Sequence, residues 1–248
     1  MKHKNCSNDN LRQIDLYFND FISEKKIAGC SLLLWQCGAE RYTMFKGVQD
    51  LESGTPVSRD TIFRIYSMTK PVASVALMML WDKGHFDLDD PIARFLPNFN
   101  EMTLYCPDGN HVRATCKIKI RHILNHTAGF ILPAFSEHPL RELYVSDGVN
   151  GSRSEGTLTE VIDRLANKPL LFEPGTRWEY SMATDVVGRL IEVIDGRPFD
   201  TFLQEEIFTP LGLVDTGFHL SPNKIPRLAG NYTRDQGEPI RPIDMPAS

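Results

Sequence analysis

The 248-residue sequence contains no G-x-S-x-G, no G-x-x-x-x-G-K-[ST] and no strand-linked G-x-G-x-x-G. The α/β-hydrolase nucleophile elbow and the phosphate-cradling loops of nucleotide-binding proteins are therefore unsupported. Nor does C-x-x-C occur among the five cysteines, Cys6, Cys30, Cys37, Cys106 and Cys116. That argues against a zinc ribbon or a dithiol redox site. An odd number of widely spaced cysteines reads as reduced thiols, and a cytoplasmic protein is expected. Long hydrophobic runs are also missing. The longest, PVASVALMMLW at 71–81, is too short to span a bilayer. The early lysines of MKHKNCSNDNLRQ are followed by no apolar stretch, so no signal peptide is expected. Excess charge of one sign is small, a net −5 with the Lys and Arg scattered. Neither a nucleic-acid nor an anionic-membrane partner is expected.

What is present is ordinary for a globular protein, with 42% apolar and 24% charged residues. Leu11, Ile14, Phe18, Phe21 and Ile22 mark one face of an N-terminal helix. CSLLLWQC (30–37) and RYTMFKGV (41–48) read as a hairpin around Gly38. From Met68 onward, apolar residues at helical spacing predict a helix from Ser67 to Gly84. It is apolar nearly all round, which predicts a central element covered by its neighbours. Pro71 fits only the first turn. Further helices are expected at 120–129, 158–167, 183–196 and 199–208. Residues 98–120 read as irregular, 133–157 as a long loop or flap, and the chain beyond 212 as turn-rich. The order predicts an α+β fold in three parts: 1–60 with the hairpin, a helical region over 61–212, and an irregular segment over 213–248.

The chemistry-bearing candidates are Ser67 and Lys70. A serine hydroxyl needs a base within hydrogen-bond reach to act as a nucleophile. Positions three apart share a helix face, and burial in apolar surroundings would favour a neutral, proton-accepting Lys70. Ser67 at the helix start would also meet outward-pointing N–H groups that favour developing negative charge. Against this, S-x-x-K by itself is short and often falls on a solvated face. Tyr180, in WEYSMATD just before an amphipathic helix, is placed to relay a proton. A tyrosine half-buried at a loop–helix junction is the plainer alternative.

SMTK between a short strand and an apolar helix resembles the serine β-lactamase and penicillin-recognising superfamily. GHFDLDDPIARFLPNF, IRHILNHTAGF, FEPGTRWEYSMATDVVGRLIEV and IFTPLGLVDTGF agree in the same order. Together they resemble most the class C β-lactamase-related branch with its family VIII carboxylesterases and transesterases. The likeness covers most of residues 10–220. It implies a β-lactamase/transpeptidase-like fold with Ser67 as nucleophile, Lys70 as base and Tyr180 as acid/base. It also implies an acyl-enzyme that is then hydrolysed, with no cofactor and no metal. Lactamases read Y-x-N where this chain has Tyr180-Ser181-Met182. The missing amide favours short-chain carboxylic esters over β-lactams. Trp178, Met182 and Asn125 are the candidate substrate-binding residues, with packing or capping as the plainer role of each.

The family's third box, K-T-G, H-x-G or W-x-G on a C-terminal strand, has no counterpart here; Asp215-Thr216-Gly217 matches it only superficially. The expected sheet is accordingly incomplete, which implies self-association through its uncovered edge. Three readings therefore stand: a serine esterase, a β-lactamase or penicillin-binding protein, and an inactive member that acts as a binding module. Two smaller clusters add little. His122 and His126 are spaced as in H-E-x-x-H but lack its glutamate. Asp87, Asp89 and Asp90 read as capping acids rather than a calcium site.

Overall fold

A computed structural model describes residues 8–235 and 238–244; Cys6 lies outside the described residues. In chain order the first elements are α1 (Asn8–Ser23), β1 (Gly29–Gln36), β2 (Ala39–Gly47) and α2 (Thr69–Asp82). A short ladder, β3 (Thr103–Leu104) with β4 (Val112–Arg113), precedes α3 (Ile120–Leu124), α4 (Leu140–Val145) and α5 (Leu158–Ala166). The last are α6 (Ala183–Asp195), α7 (Phe199–Leu203), β5 (Asn231–Thr233) and β6 (Arg241–Asp244). The chain divides into two compact units, Met1–Tyr66 with Phe218–Ser248, and Ser67–Gly217. This differs from the three consecutive segments expected from sequence, because the last thirty or so residues join the first unit.

In the first unit, β1 and β2 pair antiparallel across Cys37 and Gly38, both with positive φ (52° and 78°). Two left-handed residues make the turn whose twist suits a two-residue hairpin. Leu32 and Leu34 alternate with Leu33 and Trp35, which are exposed. The Asp15 carboxylate of α1 pairs with Lys46 of β2 at 3.4 Å. Residues 227–230 return to this layer. Ile62 N–H donates to the Arg227 carbonyl, Ala229 N–H to Ile62, and Gly230 N–H to Gln49, each at 2.8 Å. Such long-range pairings leave no periodic trace, which is why the segment beyond 212 read as turns. Among the described residues every ladder has two strands, and β1 pairs only with β2.

The second unit is built on α2 and α6, which pack against each other. Leu77 and Leu80 of α2 meet a core that includes Val186, Leu190 and Ile191 of α6, all buried. Pro71 lies in the first turn of α2, where its missing N–H costs nothing. Gly196, at φ 90°, closes α6 in the left-handed conformation. A capping box starts α5: Glu160 N–H donates to Thr157 Oγ1 at 3.3 Å, and Thr157 N–H to Glu160 Oε2 at 2.7 Å. Leu77 is fully buried. Leu77→Ala is expected to cost about 2–5 kcal/mol, read as a lowered urea midpoint at constant slope.

Three expectations are corrected here. α2 is not covered on all sides, since Val75 and Trp81 are exposed and Pro71 with them. The segment 133–157 is no flap, because it contains α4 and fully buries Leu140, Tyr144 and Val149. Residues 98–120 are not wholly irregular; they form the β3–β4 ladder, and Tyr105 N–H donates to the Leu170 carbonyl at 2.8 Å.

Candidate active site

Ser67, Lys70 and Tyr180 come together within the second unit. Ser67 sits in a 3₁₀ turn immediately before α2, and Lys70 in the first turn of the helix. Lys70 Nζ donates to Ser67 Oγ at 3.3 Å, and Ser67 Oγ lies 2.8 Å from Tyr180 Oη. The half-buried Lys70 ammonium also stands 4.7 Å from the centroid of the Tyr180 ring, a cation–π contact. Burial pushes the Tyr180 phenol up. Hydrogen bonds from Lys70 and Ser67 and the Lys70 charge outweigh this, so the net shift is below the ordinary tyrosine value.

Tyr180 lies on an irregular loop, yet its place is fixed by a backbone zipper. Leu171 N–H donates to the Gly129 carbonyl (2.7 Å), Gly175 to Thr127 (2.8 Å), Glu179 to His126 (3.0 Å) and Met182 to Ile131 (3.3 Å). Glu173 anchors the same loop by accepting Thr115 N–H at 2.8 Å, Thr115 Oγ1 at 2.9 Å and Cys116 N–H at 3.1 Å. Close approach demands Gly129, at φ 91°, where a Cβ would meet the Phe172 carbonyl oxygen at 2.5 Å.

His126, weighed in sequence only as a partner of His122, stands beside Tyr180 instead. It takes the left-handed conformation (φ 59°), uncommon outside glycine. Its Nδ1 lies 3.2 Å from Ser181 Oγ, and its ring faces that of Tyr180 at 5.2 Å. Burial and the Lys70 charge both push its pKa down, which favours the neutral imidazole. Asp185, in the first turn of α6, was missed. Burial pushes its carboxyl up, while its own N–H and the Lys70 charge pull partly back. Asp185 carried no periodic or motif signal, and the spacing of His126 from His122 pointed only to a metal site.

The other candidates fall in different places. Trp178 is exposed and meets the Tyr180 ring at 6.5 Å. Met182 is wholly buried in the core rather than open to a ligand. Asn125 is exposed, and its Oδ1 accepts Thr127 N–H at 3.2 Å and Thr127 Oγ1 at 2.6 Å, a local cap. His122 does not join His126. Its Nδ1 accepts Lys119 N–H at 3.3 Å, and its Nε2 lies against Gly175. Asp89 pairs with Lys119 at 2.9 Å and Arg121 at 2.5 Å, while Asp90 accepts Asp87 N–H at 2.9 Å. A cleft of about 490 Å³ lies in the 133–142 segment; Phe135 lines it, whereas Ser67, Lys70 and Tyr180 do not.

Residues 14–248 match the family model described as Beta-lactamase. The chain belongs to the beta-lactamase family. A curated relative of this beta-lactamase-family chain is Esterase EstB of Burkholderia gladioli, 33% identical over 94% of the chain and 57% of that protein. The ML-236A carboxylate methylbutanoyltransferase of Penicillium citrinum is 28% identical over 93% of the chain and 57% of that enzyme. Among solved structures, EstCE1, a hydrolase with promiscuous acyltransferase activity, superposes with TM-score 0.81 at 34% identity, covering 95% of this chain and 59% of that one. The fold is thus the α+β fold of the β-lactamase/transpeptidase type. The beta-lactamase-family chain spans somewhat more than half the length of these relatives.

Proposed function

We propose that the chain is a serine hydrolase acting through an acyl-enzyme on short-chain carboxylic esters. The observation that carries this is the chain of contacts from Lys70 Nζ to Ser67 Oγ to Tyr180 Oη, at 3.3 and 2.8 Å. An ammonium has only protons to give. With Lys70 donating to Ser67 Oγ, the serine's own proton is left to point at Tyr180 Oη. Hydrogen bonds from Lys70 and Ser67 hold the Tyr180 phenol below its ordinary range, so its phenolate is easier to reach and is the form that takes this proton. Tyr180 therefore serves as general base, and Lys70 as the fixed cation that sustains the phenolate. The sequence alone suggested Lys70 as base; the hydrogen-bond order supports the exchange of roles.

As Ser67 Oγ bonds to the ester carbonyl carbon, its proton passes to Tyr180 Oη. When the C–O bond to the alcohol breaks, that proton goes to the departing oxygen. Water then attacks the acyl-enzyme by the same route, releases the carboxylic acid and restores Ser67. An alcohol in place of that water would give acyl transfer. The two relatives named for acyltransferase activity favour this as a second outcome of the same intermediate. No cofactor enters either step.

Trp178 belongs to the proposal as a substrate contact, with Met182 supporting the loop and Asn125 holding the turn before His126. The reading includes a cytoplasmic placement, supported by free thiols at Cys30, Cys37, Cys106 and Cys116. No helix among the described residues is long and apolar enough to cross a membrane. Self-association along β1 is likewise proposed, supported by exposed Leu33 and Trp35.

The test is hydrolysis of p-nitrophenyl acetate and butyrate beside a chromogenic cephalosporin. Ester turnover well above cephalosporin turnover is expected, together with fluorophosphonate labelling at Ser67. A folded protein that neither turns over esters nor takes the label would overturn the proposal and favour a binding role. The reverse preference would favour a β-lactamase.

A further inference from the structure

We propose that Phe135 and Trp178 form a subsite for an aromatic group on the alcohol side of the ester, so that arylalkyl esters are the preferred substrates. This rests on the proposed hydrolase reading and names the substrate class of the same site. The structure brings together three aromatic rings from two separate segments. Phe135 ends the 3₁₀ turn Pro133–Phe135, and its ring lies 6.2 Å from that of Tyr180 at 58°. Trp178 approaches the same ring to 6.5 Å at 34°. Both side chains stand in solvent, Phe135 at 78% and Trp178 at 62% exposure. Exposed rings beside the proposed reactive side chain offer apolar surface that a ligand can cover.

The side of the ester follows from proton traffic. Tyr180 Oη accepts the Ser67 proton and must return it to the leaving oxygen. The alcohol oxygen therefore comes to lie against Tyr180 Oη, and its substituent extends beside the Tyr180 ring, where Phe135 and Trp178 stand. Rings packed offset or edge-on at these separations gain beyond their buried area. A flat aromatic substituent fits that geometry better than a saturated one of equal size. The 133–135 turn is braced for the task, since Arg141 Nε donates to the Pro133 carbonyl at 3.0 Å. Phe135 also borders the cleft of about 490 Å³ in its own segment.

The test compares benzyl butyrate with cyclohexylmethyl butyrate, which share one acyl group and alcohols of similar size and acidity. An aromatic preference of about tenfold in kcat/KM is expected. Phe135→Ala and Trp178→Ala should each lower the benzyl-to-cyclohexylmethyl ratio about threefold or more. Both residues are exposed, so the variants should keep the wild-type circular dichroism spectrum. A ratio near one in wild type, or a ratio unmoved in both variants, overturns the proposal.

A second readout does not depend on turnover. Protein labelled with 5-fluorotryptophan is titrated with benzyl alcohol and with cyclohexylmethanol, the Trp178 resonance being assigned by Trp178→Phe. Saturable movement of that resonance with benzyl alcohol, diminished in Phe135→Ala, supports the subsite even if no ester is hydrolysed. No movement, or equal movement with both alcohols, rejects it while leaving the hydrolase reading to its own assay.

Discussion

Ser67→Ala is expected to lower p-nitrophenyl butyrate hydrolysis by about 10³-fold or more, with little change in melting temperature. The size follows from the role. No other hydroxyl stands between Lys70 and Tyr180 among the described contacts, so without Ser67 Oγ the proposed acyl-enzyme cannot form. Removing the nucleophile of a serine hydrolase leaves only what binding and oxyanion stabilisation give over water. The stability forecast follows from exposure. Ser67 is exposed, and such substitutions usually stay within about 0.5 kcal/mol. Steady-state rates on both proteins, with thermal melts, check the two halves separately. Equal rates would show that turnover arises elsewhere.

Tyr180→Phe is the second large effect, a fall of about 10²–10⁴-fold in kcat/KM, the range for loss of a general base. This variant is cleaner than alanine. It keeps the ring that meets His126, Trp178 and Phe135 and removes only the oxygen 2.8 Å from Ser67. The sign of the pH dependence is fixed by the base role. Under the proposed base role activity requires the phenolate, so log(kcat/KM) is expected to rise with pH until the Tyr180 pKa is passed. Because that pKa lies below the ordinary tyrosine value, the rise should level off earlier than a free phenol would allow. In Tyr180→Phe the limb should vanish. A variant with the wild-type limb would assign it to another group.

The juxtaposition of Ser67 and Lys70 was legible because it depends on local chemistry. The three-residue interval from Ser67 to Lys70 needs only a helix start, and Pro71 marks where that start lies. Gly196 likewise announces a helix end through its own neighbours. What holds Tyr180 against Ser67 was not legible. It depends on Glu179 N–H reaching the His126 carbonyl, on Met182 reaching Ile131, and on Glu173 reaching Thr115 and Cys116. These bonds join residues some fifty apart in sequence, and backbone pairing over that span imposes no side-chain pattern. His126 shows the same limit. Its left-handed backbone and its bond to Ser181 arise only once the two segments meet.

Periodicity misled where it was read as burial on every side. The apolar residues of α2 run all round the helix, yet only the Ala73, Ala76, Leu77 and Leu80 face is buried. A pattern reports what could be covered, and contacts decide what is. The polar 133–157 stretch erred the other way. Its composition suggested a loop, but Leu140, Tyr144 and Val149 suffice to bury α4 in the core. The role proposed for Lys70 differs from the sequence expectation for a similar reason. Apolar spacing predicted an enclosed amine, whereas the structure sets it 3.3 Å from Ser67 Oγ and 4.7 Å from the centroid of the Tyr180 ring.

The account turns on Tyr180 being the proton acceptor because of Lys70. Carbon-13 labelling of tyrosine at Cζ, with the Tyr180 signal assigned by its loss in Tyr180→Phe, allows that phenol to be titrated directly. A midpoint below the ordinary tyrosine value, moving upward in Lys70→Met, is the predicted result. A midpoint at or above that value in the wild type, or one indifferent to Lys70, would contradict it.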